Sequence, residues 1–477
     1  MPPQVATLVC IIGIAGLFVL DRDRRARTSM ALWIPVIWLW IVGSREVSIW
    51  LASFGIGGAT TGDTYLEGSP VDRVVYLGLL LVGIVVLATR GHKVARLLQN
   101  NLPIVLFFCY CALSVLWSDH ADIAFKRWIK SLGDLVMVLI VLTETDRLAA
   151  IKRFLLRASF LLMPLSILFI KYYPSLGKGF KHYGLAIYVG VTTTKNILGV
   201  ICLLFGLASL WCLIAAYRDR AAKHRSRHLI VHSTVLAMVF WLFSMAHSMT
   251  GLACFVLAGG LMIAVSVRAV AQRPILVHLL VAAVVAISFA ALFLGVGAGS
   301  LQAMGKDVTL TGRTEIWRLV LGMTGNPLIG TGFESFWLPG WRLEKIWSVY
   351  WWHPNEAHNG YIEVFLNLGW IGVSLLAVLL VTGYRNVLAA LREDPNLGRL
   401  RLSYFVVAVV YNFTEAGFRM LDPIWIMFLM VIIAVPNRAR ASKASIPLTA
   451  KYADELPAPE LDADRLPAFP TAHIGSL

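Results

Sequence analysis

The stretch "HPNEAHNGYIEVFLNLGWIGV", from His353 to Val373, holds the residues best suited to chemistry. A loop of His, Pro and Asn leads straight into an apolar run. Asn359, Glu363 and Asn367 recur at four-residue spacing, which stacks them on one helix face. In a membrane such a stripe must face protein or water rather than lipid. His358 stands at its outer mouth, where a neutral imidazole can take a proton from a hydroxyl near pH 7. The plainer reading is a loop histidine bonded to backbone. A metal site from His353, Glu356 and His358 is a third reading, and the proline and the loop setting count against it.

Five more segments carry polar groups at the ends of apolar runs. In "TGRTEIWRLVLGMTGNPLIGTGFESFW" (311–337), Ile316, Leu319, Val320 and Met323 have helical spacing, and Gly325 and Pro327 supply the stop. The pattern predicts a short amphipathic helix at the outer surface. Arg313 opens it beside free backbone N–H groups, a favourable place for phosphate; a snorkelling surface arginine is the bland alternative. In "VTTTKNILG" (191–199), Lys195 and Asn196 begin a span, where the lysine either holds an anionic headgroup or simply snorkels. "YNFTEAGFRMLDP" (411–423) places Glu415 four residues before Arg419. That order suits a structural ion pair, or a carboxylate that orients a base or binds sugar hydroxyls. In "WSDHADIAFKRWIKSLGD" (117–134), Arg127 faces outward and Lys130 is placed to pair with Asp134 one turn deeper. The tight turn "SMAHSMTG" (244–251) adds His247, Ser248 and Thr250.

The elements that must position these groups are membrane spans. Apolar residues make up 58% of the chain and charged residues 14%, against about 25% charged in a soluble domain. Candidate spans are 4–20, 29–43, 74–89, 102–117, 130–144, 155–170, 197–216, 229–246, 251–267, 276–295, 360–384, 402–415 and 423–436. The first lacks a basic leader and a cleavage site, so it is expected to be retained. Every second loop is short and basic, as at Arg22–Arg27, Arg90–Arg96, Arg147–Arg157 and Arg218–Arg227. The positive-inside rule puts these in the cytoplasm and turns loops 44–73, 118–129, 171–196 and 296–359 outward. The same distribution explains the net charge of +15 without nucleic acid. All six cysteines lie in apolar runs and read as small core residues. Residues 1–436 are therefore expected to form the transmembrane domain, with 296–359 as a large outer loop and 437–477 as a disordered cytoplasmic tail.

No P-loop, dinucleotide fingerprint, HExxH or GxSxG motif occurs. "GRTEIW" followed by "PLIGTGFESF" and "AHNGYIEVFLNLGWIG" resembles the O-antigen ligase and Wzy-type polymerase superfamily. Within it the motifs sit nearest the exopolysaccharide polymerases of the succinoglycan kind. "WSDHADIAFKRWIK", "TTTKNILG", "SMTG" and "NFTEAGF" extend the likeness over about 117–420.

The resemblance implies an all-α, polytopic, GT-C-related bundle of about 12–13 transmembrane helices with one large periplasmic loop. It implies a bacterial inner-membrane glycosyltransferase that takes an undecaprenyl-diphosphate-linked oligosaccharide and passes it to a glycan acceptor, with no metal and no cofactor. Candidate partners are a flippase and a chain-length regulator. The histidine of the family's "HN" motif, its proposed base, falls on His358. Glu415 or Glu363 would set its tautomer. Arg313 matches a diphosphate-binding arginine, and Lys195 stands where ligases tend to have arginine, although lysine cannot make the forked contact. Arg127, Asn196, Asn359 and Arg419 complete the candidate donor and sugar contacts. A ligase that moves finished chains onto lipid A core or protein is the alternative within enzymes. A transporter would instead show internal repeats and mid-membrane polar groups.

Overall fold

In the computed structural model, which describes residues 1–23, 27–56, 68–180, 184, 186–221, 224–294 and 311–435, every expected span corresponds to a helix. Among the described residues, eight helices are long and apolar enough to cross a membrane, and ten spans result if two bent pairs each count as one. The bent pairs are Met30–Val42 with Val47–Ser53, and Gly91–Gln99 with Leu102–Trp117. The remaining expected spans fall on Ala121–Leu142, Pro395–Tyr411 and Pro423–Ile432. The chain is a multi-pass, all-helical membrane protein. Its only departure among the described residues is a small antiparallel hairpin, Lys178–Phe180 with Ala186–Tyr188, inside an expected outer loop. The expected disordered tail lies outside the described residues, as do residues 295–310.

Burial ranks the helices. Lys195–Arg218 has 78% of its apolar window buried and sits at the centre, whereas Pro3–Leu20 has only 11% and stands at the rim. Lipid is as apolar as leucine, so a rim helix can be hydrophobic all round and still be stable.

The loops sort into two ends. Arg90 pairs with Glu144 at 2.7 Å, Lys152 with Asp21 at 3.3 Å, and Arg153 with Thr28; these are the basic loops expected on one side. At the other end Ser118 meets Ser335 at 2.8 Å, His120 meets the Pro339 carbonyl at 2.8 Å, and Arg342 pairs with Asp119 at 2.6 Å. That end gathers 118–129 with the described part of 296–359.

The longest helix, Gly360–Glu393, is broken at Gly369, whose φ of 63° and ψ of −165° leave the helical region. A side chain there would meet the Leu328 backbone at 2.3 Å, so only glycine fits. The "PLIGTG" segment repairs the break. Trp370 N and Ile371 N donate to the Pro327 and Leu328 carbonyls at 2.9 and 3.1 Å, while Thr331 N and Gly332 N donate to the Leu366 and Asn367 carbonyls at 3.1 and 2.8 Å. Tyr110 Oη donates to the Leu368 carbonyl at 3.0 Å. Backbone groups freed at a break must find partners in this way when water is scarce.

Candidate active site

The first turn of Gly360–Glu393 positions the candidate base. Asn359 is its N-cap: Oδ1 accepts from Tyr361 N and Ile362 N, both at 3.0 Å, and Nδ2 donates to the Phe413 carbonyl at 3.0 Å. Asparagine suits this position because its oxygen satisfies N–H groups that the helix leaves free. Gly360 N donates to the carbonyls of Asn412 and Glu415, at 3.0 and 3.1 Å. A Cβ at Gly360 would lie 1.8 Å from Asn412 Oδ1, so glycine permits the close approach that brings the 353–359 loop onto the 411–423 loop. His358 itself adopts φ 50°, uncommon for a residue with a side chain.

Those two loops and the Thr311–Leu321 helix build a chain of alternating charges. Arg419 Nη1 lies 2.8 Å from Glu356 Oε2, and Glu356 Oε1 lies 2.8 Å from His358 Nδ1. The same Nδ1 is 3.4 Å from Glu415 Oε2. Glu415 Oε1 is 3.2 Å from Arg313 Nη2, and Arg313 Nη1 donates to the Thr414 carbonyl. Burial alone would lower the pKa of His358, but its hydrogen bonds to Glu356 and Glu415 and their charges outweigh burial and lift it to about 9. Burial would raise the Glu356 carboxyl; His358 and Arg419 reverse that and hold it below its ordinary value. The imidazole expected to be neutral near pH 7 is thus held as a cation between two carboxylates.

A cavity of roughly 160 Å³ adjoins this chain, lined among others by Arg127, Glu334, Trp337, Glu356, Glu363 and Arg419. Arg127 Nη1 donates to the Glu334 carbonyl at 2.5 Å. The cavity is smaller than the 300–1,000 Å³ of sites that enclose a drug-sized ligand, so a larger ligand would extend beyond it.

Several expectations need correction. Glu415 and Arg419 do not pair with each other: the helix stops at Tyr411, so four-residue spacing no longer means one face, and each charge finds another partner. Lys130 does not hold Asp134, which accepts from Trp38 Nε1 at 2.9 Å and Leu421 N at 2.8 Å, while Lys130 lies over the Tyr76 ring at 5.6 Å. Glu363 does not set the tautomer of His358. Its oxygens accept from Trp337 Nε1 at 2.9 and 3.0 Å and from Ala357 N at 2.5 Å, so it fixes the loop instead. Asn367 Oδ1 likewise accepts from Ser335 N and Phe336 N, at 2.8 and 3.0 Å. The polar stripe faces protein, as expected, but it braces the outer loop. The apolar face of Thr311–Leu321 packs into a core of Ile316, Trp317, Val320, Met323, Phe336 and Ile346.

Lys195 and Asn196 open the Lys195–Arg218 helix, capped by Thr194, whose Oγ1 accepts from Ile197 N at 3.2 Å. One turn on, Gly199 packs against Ser248. The adjoining Thr250 meets Thr414 at 3.5 Å, beside Glu415. These residues therefore border the charge chain through neighbours.

Glu356 is the residue that spacing missed in this role. It lies in a loop, two residues before the histidine, where no periodicity marks it. Ligand atoms of Glu356, His358 and Glu415 fall within 4.8 Å of one another, but Arg313 and Arg419 already neutralise both carboxylates, which disfavours a further cation. His353, weighed as a ligand, stacks on Trp347 with ring centroids 4.7 Å apart.

The O-antigen ligase family model matches residues 234–377, a window that holds Arg313, Glu356, His358, Asn359 and Glu363. Over that window the chain is similar to the O-antigen ligase family. It is also 25% identical over 389 residues to the exopolysaccharide production protein ExoQ of Rhizobium meliloti (strain 1021), a stretch covering 78% of the chain and 85% of that relative.

Proposed function

We propose that this protein is a bacterial inner-membrane glycosyltransferase that polymerises exopolysaccharide or O-antigen repeat units. The donor is an undecaprenyl-diphosphate-linked oligosaccharide, the acceptor is a sugar hydroxyl, and the reaction runs at the periplasmic face without metal. The observation that carries this reading is the alternating chain Arg419–Glu356–His358–Glu415–Arg313 beside a cavity. Similarity to ExoQ, an exopolysaccharide production protein, favours exopolysaccharide as the product.

In this mechanism the acceptor hydroxyl attacks the anomeric carbon and the diphosphate leaves. Glu356 and Glu415 both engage Nδ1, which fixes the tautomer and leaves Nε2 for the hydroxyl proton. General-base help of this kind is typically worth about 10²–10⁴-fold. Arg313 and Arg419 exchange their carboxylate partners for diphosphate oxygens, and Arg127 and Lys195 add positive charge where the leaving group develops. Release of the carboxylates by the arginines in turn strengthens their hold on the imidazolium as it forms.

Purified protein with lipid-linked repeats, without metal or nucleotide, tests the proposal. His358→Ala is expected to fold and to make no polymer; normal polymer would remove the assigned base. The ligase description of the matching family supports a second reading, transfer of finished chains to lipid A core or protein. A deletion strain separates the two: single repeat units on carrier lipid mark a polymerase, and intact polymer on carrier lipid marks a ligase.

A further inference from the structure

The Arg225–Ala246 helix ends near the candidate site and begins, a full helix length away, at a second cluster. There the cap residue of Pro3–Leu20, Asp21, meets two histidines one turn apart. Asp21 Oδ1 lies 2.9 Å from His228 Nδ1 and 3.4 Å from His232 Nε2, with Lys152 Nζ at 3.3 Å. The histidine rings are nearly parallel, 8° apart, with centroids separated by 6.2 Å. His232 is wholly buried, yet neither of its ring nitrogens makes a hydrogen bond. Asp21 approaches to 3.4 Å, and this contact offsets only part of the desolvation cost of a buried imidazole.

We propose that Asp21, His228 and His232 bind a single divalent transition-metal ion of the zinc type. Histidines at i and i+4 present two nitrogens on one helix face, a spacing suited to a shared ion. The three donor atoms lie within 4.8 Å of one another. Metal bonds of about 2.0–2.1 Å in a tetrahedron set donors about 3.3 Å apart, close to the His232–Asp21 separation; the His228 contact must widen slightly. Two imidazoles and one carboxylate select zinc over magnesium or calcium, which prefer all-oxygen sets. Lys152 occupies the carboxylate when no ion is bound. Its side chain is 28% exposed, and it can withdraw into the adjoining pocket lined by Asp23 and Asp146. The ion ties the poorly buried Pro3–Leu20 helix to Arg225–Ala246. Among the described residues, Lys152 is the cation paired with this carboxylate, and Arg153 lines the adjoining pocket beside it.

The test uses full-length protein with a histidine-free affinity tag, stripped with chelator and equilibrated with zinc chloride. Metal content is measured by mass spectrometry after desalting. A single zinc per chain is expected, undiminished by excess magnesium. His228→Gln and Asp21→Asn, checked for a monodisperse elution profile, are each expected to weaken binding at least ten-fold, whereas Lys152→Met tightens it and His358→Gln leaves it unchanged. Failure of the unaltered protein to retain zinc overturns the proposal. So does zinc retained equally by both cluster variants, zinc lost on His358→Gln, or weaker binding in Lys152→Met.

Discussion

Replacing Glu356 by glutamine probes the charge chain most sharply, because that residue holds His358 at 2.8 Å while Glu415 stands at 3.4 Å. The pair lifts the imidazole from an ordinary 6.5 to about 9, a displacement worth roughly 3 kcal/mol at about 1.4 kcal/mol per unit. With that value only roughly 1% of the imidazole is neutral at pH 7. Transfer through Nε2 should then rise about ten-fold per pH unit until it levels off, near pH 9. The nearer carboxylate supplies the larger share, so Glu356→Gln should move the inflection down by at least about one unit. Initial rates with a lipid-linked repeat, measured from pH 6 to 10, give the profile directly. A flat profile in the unaltered protein, or an unmoved inflection in Glu356→Gln, refutes the argument. The same shift acts on stability. A pKa raised in the folded state stabilises fully below the unfolded value of about 6.5, and that contribution is lost as pH rises through about 9.

Arg313→Lys keeps the charge but gives up the simultaneous contacts to Glu415 and Thr414; transfer should fall at least about ten-fold with expression unchanged, since a single ammonium cannot replace a fork. Gly360→Ala drives a methyl group to 1.8 Å from Asn412 Oδ1 and should cost about 1–3 kcal/mol, read as a lower melting temperature in detergent. Asn367→Leu leaves Ser335 N and Phe336 N without their buried acceptor, a loss of about 1–3 kcal/mol each at most. Its melting temperature should drop further than that of Asn359→Ser, which retains a capping oxygen.

Spacing in the sequence located the helices because span length and apolar runs are local properties. It also placed His358, Arg313 and Glu415 at ends of elements that the fold brings together. Partner choice was another matter. Glu415 and Arg419 looked paired from their four-residue spacing alone, but the expected span closed at 415 and the helix ends earlier still, at Tyr411, so the spacing puts them on no common face. Glu363 looked catalytic because it lies one turn below the histidine. Helical geometry fixes its direction, but only the outer loop, folded back through Trp337, decides what it touches. Glu356 had no periodicity to reveal it. The break at Gly369 was equally silent, because "NLGWIG" reads as unbroken apolar helix and the repair comes from a segment some forty residues earlier.

That repair has a mechanical consequence. Residues 360–368 are fastened to the outer loops by Asn359, Glu363 and Asn367, whereas 370–393 form a second, lower rod packed on Pro395–Tyr411 and Pro423–Ile432, and the two meet at a swivel bridged by "PLIGTG". A bilayer that thins or thickens changes the lean of its transmembrane rods. Here the lower rod can lean while the splice keeps the reacting groups in register, so turnover should be insensitive to acyl-chain length over the range in which the splice survives.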